Sequence, residues 1–144
     1  LKLSRGLGDV YKRQVLRVRY GETDQMGYCY YGNYAQYFEV GRVEALRKLG
    51  MSYKQLEDQG VMLPVSEFTV NYKFPAKYDD ALTITTYIKE IRGARLAFDY
   101  TITNENDQTV ATAHTTLVFV AKETMRPISP PASFLTLIEP HEQK

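Results

Sequence analysis

Between Asn33 and Gly50, apolar and small residues recur at intervals of three and four: Tyr34, Tyr37, Phe38, Gly41, Ala45, Leu46 and Leu49. That is the period of one face of an α-helix. Asn33 is placed to cap the helix start and Gly50 to end it. Arg47 and Lys48 fall in the last turn, where cations complement the helix dipole. The small Gly41 and Ala45 predict close packing against something flat. A helix with a single apolar face must bury it against another layer.

The rest of the chain supplies that layer. Val15 to Tyr20 alternates apolar and charged residues, the period of a half-buried strand. Ser52 to Gln59 predicts a further helical turn or two, ended by Gly60. Beyond it four strands are expected: Leu63 to Phe74, Ala81 to Ile91, Arg95 to Thr103 and Thr109 to Ala121. The segment Ala81 to Ile91 is rich in Thr, Ile and Tyr, all good strand formers. Turns are expected at Tyr78-Asp79-Asp80, Arg92-Gly93-Ala94 and Asn104 to Asp107. Strands joined by tight turns make an antiparallel sheet. Pro127, Pro130 and Pro131 precede a short tail helix with Phe134, Leu135 and Ile138. The fold class is therefore α+β, in one domain: 144 residues, 44% hydrophobic and 24% charged, suffice for one core.

Composition narrows the function classes. Lys and Arg number 18 against 17 Asp and Glu, so there is no general basic field for nucleic acid. One cysteine, Cys29, cannot form an intrachain disulfide or a cysteine-only metal cluster. With two histidines, His114 and His141, no metal site is expected. The longest purely apolar runs are about five residues, such as Leu117 to Ala121, too short to span a bilayer. No apolar signal segment opens the chain, so the expectation is a cytoplasmic protein.

Residues 1–14 stand apart. They carry Lys2, Arg5, Lys12 and Arg13 against Asp9 alone, with no clear period. The string Ser4 to Gln14 resembles the translated end of a transposon adapter used in sequencing libraries. The expectation is a non-native segment, with a single domain over 15–144. Without residues 1–14 the domain holds fourteen basic and sixteen acidic residues and is mildly acidic.

Chemistry concentrates between the first strand and the long helix, in Arg19-Tyr-Gly-Glu-Thr-Asp-Gln-Met-Gly-Tyr-Cys-Tyr-Tyr-Gly-Asn-Tyr34. A helix start offers unpaired backbone N–H groups that can hold negative charge developing on a substrate oxygen. Asp24 lies a few residues upstream, and a carboxylate beside such a site is a minimal acyl-transfer pair. On the residues alone, Asp24 as the cap of a turn is the simpler reading. Five of the 12 tyrosines, Tyr28, Tyr30, Tyr31, Tyr34 and Tyr37, crowd this loop and helix start.

The string Thr23-Asp24-x-x-Gly27-x-x-Tyr30-Tyr31-x-Asn33-Tyr34, followed by Tyr37-Phe38-Glu39 and Arg42-Val43-Glu44, resembles the signature of 4-hydroxybenzoyl-CoA thioesterase-type hotdog proteins, in their short acyl-CoA thioesterase branch. The resemblance continues through Pro75-Ala76-x-Tyr78-Asp79-Asp80, the hairpin from Arg92 to Phe98, and Lys122-x-x-x-Arg126-Pro127. It implies a curved antiparallel sheet wrapped around one long central helix. It also implies chains pairing edge to edge as a homodimer or homotetramer, with sites at the dimer interface. The implied activity is hydrolysis of an acyl-CoA thioester without a cofactor; an acyl-carrier-protein thioester is a possible substrate.

The family's catalytic carboxylate falls on Asp24, acting as nucleophile or as general base on water. Its carbonyl-polarising amide falls on the Tyr31 backbone N–H. A family variant has His at this position, where Tyr, with a pKa of about 10, cannot serve as a base near neutral pH. Gly27, Tyr30, Asn33 and Ser66 are candidate substrate-binding positions. Arg92 and Arg95, with Lys89 nearby, are candidates for the coenzyme phosphates. Glu39 and Arg42 are spaced to pair on the helix. His114 reads as a hydrogen-bonded structural histidine, and Cys29 as a small apolar residue.

Two rivals remain. Hotdog dehydratases and hydratases pair an acid with a His close after it, and no His follows Asp24 before His114. The other rival is a non-catalytic module that binds acyl thioesters or lipids.

Overall fold

The long helical pattern is realised over nearly its expected length. The structure is a computed structural model that describes residues 4–8 and 10–142. In it, helix α1 spans Tyr34–Leu49. It buries Tyr34, Tyr37, Phe38, Gly41, Ala45 and Leu46, the stripe read from spacing, and adds Arg42 to it. Gly50, in the left-handed conformation at φ 112°, closes the helix by donating to the carbonyls of Leu46 and Arg47. The expected side-chain cap is not formed: Asn33 is itself helical and its side chain is used elsewhere. Helix α2, Tyr53–Asp58, has a full capping box in which Ser52 and Gln55 exchange hydrogen bonds.

Among the described residues eight strands accompany the helices: β1 Ser4–Gly6, β2 Tyr11–Arg17, β3 Val61–Met62, β4 Val65–Tyr72, β5 Ala81–Arg92, β6 Arg95–Thr103, β7 Thr109–Val118 and β8 Val120–Ala121. Helix α3, Ala132–Ile138, ends the order and buries Phe134 and Ile138. The main sheet is antiparallel, in the order β1-β5-β6-β7-β4, with β2 beside β1 on the outer edge of β5. The hairpins at Gly93-Ala94 and Asn104–Gln108 fall where the turn residues predict. Asn104 holds the second by accepting from the amides of Asn106 and Gln108 at 3.0 Å each.

Three expectations need correction. The first strand runs from Tyr11 to Arg17 rather than from Val15 to Tyr20, because the chain turns at Tyr20–Glu22 into a 3₁₀ turn. Strand β4 pairs with β7, not with β5, its neighbour in sequence. The turn at Tyr78-Asp79-Asp80 therefore ends a crossover to the far side of the sheet rather than forming a hairpin. The last strand breaks at Phe119, whose burial turns β8 away to pair with β3.

Of the segment set apart in the sequence, residues 1–3 and 9 lie outside the described residues. The others join the sheet edge: Ser4 to Gly6 face Arg92 to Glu90, Tyr11 to Gln14 face Tyr87 to Ile84, and Leu7 is fully buried.

Helix α1 lies on one face of this sheet, against β5 and β2. Phe38 is its central contact, with ring centroids 4.8 Å from Tyr100 on β6 and 5.9 Å from Phe68 on β4. Gly41 permits the approach to β5: a Cβ there would collide with the Thr86 hydroxyl. The opposite face of the sheet carries Thr, charged residues and His114. The start of α1 thus sits over the sheet near the β4 edge, with the loop Thr23–Asn33 folded against it.

Candidate active site

Asp24 sits in a tight turn. Its Oδ1 accepts from the amides of Met26 at 2.9 Å and Tyr28 at 3.3 Å. Its carbonyl accepts from Gly27 at 3.0 Å and its amide donates to Tyr28 at 2.8 Å. The turn requires φ 79° at Gly27, the left-handed region that glycine enters without strain. The reading of Asp24 as the cap of a turn is realised, and it uses one carboxylate oxygen. Oδ1 caps the turn, and Oδ2 accepts no hydrogen bond from any described residue.

Tyr31 opens a 3₁₀ turn, Tyr31–Asn33, that runs into α1. As the first residue of that turn it has no backbone acceptor of its own, and its N–H donates to no described carbonyl. Asp24 and Tyr31 line one cavity of about 340 Å³, together with Tyr28, Cys29, Tyr34 and Tyr72. A backbone N–H donor and a carboxylate oxygen with no described partner thus belong to residues that line one largely apolar cavity at a helix start.

The loop is held by a buried anion. Glu22 is 8% exposed. Its Oε1 accepts from the Arg19 amide at 2.8 Å and the Tyr37 hydroxyl at 2.9 Å, and its Oε2 from the Arg19 guanidinium at 3.2 Å. Burial pushes its pKa up, but these donors together hold it below the ordinary carboxylate value. The Glu22 carbonyl accepts from the Tyr30 amide and from Asn33 Nδ2, both at 2.8 Å. Tyr37 Oη also lies 3.3 Å from Cys29 Sγ. Burial raises the pKa of Cys29 and holds it as a thiol.

The other candidates divide. Gly27 shapes the Asp24 turn, and Asn33 binds the loop backbone. Tyr30 is exposed and its ring leans against that of Tyr31, with centroids 4.7 Å apart and planes tilted by 46°. Ser66, Arg92 and Arg95 line a second cavity of about 320 Å³ on the sheet face away from α1. There Ser66 donates to the Thr116 carbonyl at 3.1 Å, and Arg92 stands 3.8 Å from Glu90. Within one chain, Ser66, Arg92 and Arg95 are not brought to Asp24. His114 is hydrogen-bonded as expected, to Asp99 at 2.7 Å and Thr116 at 3.1 Å. The expected Glu39–Arg42 pair is not formed: Arg42 turns inward and donates to Tyr53 Oη at 3.1 Å.

Glu22, Tyr72 and the hydroxyl of Tyr37 were not singled out by sequence reasoning. Glu22 lies inside the quoted string, so an acid two residues before Asp24 was a visible signal. Tyr72 is 41 residues from Tyr31 and meets its carbonyl through a hydroxyl at 3.3 Å, a contact no local pattern reveals.

Residues 18–138 match the model of the thioesterase-like superfamily. The chain belongs to the thioesterase-like superfamily. The acyl-CoA thioester hydrolase YbgC of Escherichia coli O6:H1 is 34% identical to it over 123 residues, covering 85% of this chain and 92% of that one. Among solved structures, DHNA-CoA thioesterase from Staphylococcus aureus superposes with a TM-score of 0.79 at 37% identity, over 83% of this chain and 80% of that chain. A 4-hydroxybenzoyl-CoA thioesterase mutant complexed with 4-hydroxybenzoyl-CoA does so with a TM-score of 0.81 at 25% identity, over 90% and 99%. The architecture of this thioesterase-like chain is accordingly the hotdog fold expected of it. No helix among its described residues is long and apolar enough to cross a membrane.

Proposed function

We propose that this chain hydrolyses acyl-CoA thioesters to the free acid and CoA in the cytoplasm, with Asp24 as the reacting carboxylate. The observation that carries the reading is the shared cavity: it is lined by both Asp24, whose Oδ2 accepts from no described residue, and Tyr31, whose N–H donates to none. The Tyr31 N–H polarises the thioester carbonyl and holds the oxyanion. Asp24 Oδ2 then either adds to the carbonyl carbon, expelling CoA thiolate and leaving a mixed anhydride for water to cleave, or takes a proton from the water that adds. The names of the relatives support the substrate class.

The catalytic unit is a homodimer or homotetramer of the domain over 15–144. Strand β4 supports this, since its outer edge is unpaired among the described residues while Val65, Phe68 and Tyr72 remain largely exposed along it. Arg92 and Arg95 hold coenzyme phosphates; within one protomer their cavity shares no lining residue with that of Asp24.

The test is release of CoA thiol from a panel of acyl-CoA and acyl-carrier-protein thioesters. The wild type is expected to release thiol, and Asp24→Asn to lose at least about a hundredfold in kcat, the scale of a lost general base or nucleophile. No release by wild type, or an unimpaired Asp24→Asn, overturns the reading. A single turnover in ¹⁸O-water separates the two routes. The anhydride route leaves the first acid product unlabelled when water attacks the Asp24 carbonyl.

A further inference from the structure

Glu22 is a charge buried where burial is costly, two residues from the reacting carboxylate, and the reaction as written does not use it. A buried carboxylate is tolerated only when donors replace its water. Three do: the Arg19 amide, the Arg19 guanidinium and the Tyr37 hydroxyl. The third comes from α1 and ties the residue to the helix. The Glu22 main chain has a second task. Its single carbonyl accepts at 2.8 Å from the Tyr30 amide and at 2.8 Å from the Asn33 side chain. Those two residues bracket Tyr31, one before it and one at the end of its turn. The peptide that aims the Tyr31 N–H is therefore hung on one carbonyl, and the orientation of that carbonyl is set by the side chain of the same residue.

We infer that Glu22 is a positioning residue of the hydrolysis, acting through Tyr37 and through its own carbonyl to aim the Tyr31 N–H at the thioester oxygen. This rests on the reading of Tyr31 as the carbonyl-polarising group. An oxyanion donor strengthens its bond as charge develops, so a misaimed donor lowers kcat more than it raises KM. The Tyr72 hydroxyl donates to the Tyr31 carbonyl, which belongs to the next peptide and not to the one that carries the Tyr31 N–H.

Three variants test the inference. Glu22→Ala is expected to lower kcat by about 30- to 100-fold, the scale of a donor misplaced by an ångström, with KM changed less than about threefold. Glu22→Gln keeps an acceptor for the Arg19 amide and the Tyr37 hydroxyl, and is expected to restore kcat to within about fivefold of wild type. Tyr37→Phe keeps the buried ring and is expected to cost about tenfold. Combined with Glu22→Ala it adds nothing further, because both act through one link. Tyr37→Phe carries the test if Glu22→Ala does not fold.

A second readout avoids turnover. In the Asp24→Asn background, the bound thioester carbonyl should show its infrared stretch lowered by the Tyr31 N–H. Adding Glu22→Ala should move that stretch back toward its value in water.

The inference is overturned if Glu22→Ala lowers only the melting temperature, if the two losses multiply, or if the carbonyl stretch does not move. Loss of catalysis at Tyr31 as a whole has a different signature: the stretch is then unshifted already in Asp24→Asn alone.

Discussion

Asp24 shows how much one residue can hide within its own neighbourhood. Its place before a helix start, with Gly27 three residues on, is legible in the sequence, and so is the conflict between capping and catalysis. Capping does not preclude the proposed chemistry, because a carboxylate has two oxygens: Oδ1 caps the turn while Oδ2 accepts from no described residue. Glu22 was not legible in the same way. Nothing local says that an acid between Gly21 and Thr23 will be buried, because the donor that accepts it into the core, Tyr37, lies 15 residues later.

The protonation of Glu22 gives a sign that can be checked. Its folded pKa lies below the ordinary carboxylate value, so the fold holds the anion more tightly than the unfolded chain does. The groups facing it are the Arg19 guanidinium, the Tyr37 hydroxyl and the neutral Cys29 thiol. Its contribution is present above the unfolded pKa and is lost as pH falls through the folded one. Urea midpoints measured from pH 7 down to pH 3 should therefore fall more steeply for wild type than for Glu22→Gln. Parallel curves would remove Glu22 as a source of the acid sensitivity.

At the scale of elements, helix α1 was readable because its period does not depend on partners. The same stripe left Arg42 out, since a charged residue on an apolar face is read as exposed. The guanidinium stays inside because Tyr53 offers it a hydroxyl and Tyr100 lies beside it. The pairing of β4 with β7 was not readable: alternation marks a strand and its faces but says nothing about which strand lies next to it. The helix–sheet contact carries a prediction of its own. At Gly41, alanine would raise helix propensity by about 1 kcal/mol, yet its Cβ meets the Thr86 hydroxyl and stands 3.2 Å from Ile84 Cγ2. Overpacking of a rigid helix–sheet contact costs about 1–3 kcal/mol, so the clash outweighs the propensity. Gly41→Ala is expected to be destabilising by about 1–2 kcal/mol in urea unfolding. Thr86 Oγ1 is buried and has no hydrogen-bond partner among the described residues. Adding Thr86→Ala removes both the clash and the orphan hydroxyl, and should recover most of the loss. A double variant as weak as Gly41→Ala alone would place the strain elsewhere.

For the whole molecule, the separation of the Asp24 cavity from the Arg92–Arg95 cavity within one chain is what the proposed second copy accounts for. Asp24 and Tyr31 lie at the Tyr72 end of β4, and Ser66 lies at the opposite end, with Arg92 and Arg95 beside it. Antiparallel pairing of β4 with its own copy, about a two-fold axis, sets the Tyr72 end of one strand beside the Val65 end of the other. In the proposed dimer such pairing would bring the cations of one protomer toward the Asp24 cavity of its partner, joining the edge contact to the proposed coenzyme site. The apolar side chains on that edge, Val65 at 45% exposure, Phe68 at 41% and Tyr72 at 51%, are the surface such a contact would cover. A lysine on an edge strand opposes this kind of pairing without disturbing the exposed face of the monomer. Val65→Lys is therefore expected to shift sedimentation equilibrium toward the monomer at low micromolar concentration. Thiol release should fall in proportion to the dimer lost, and recover as protein concentration is raised. A monomeric Val65→Lys with undiminished activity per chain would show that each protomer holds a complete site, and the phosphate role of Arg92 and Arg95 would fall with it.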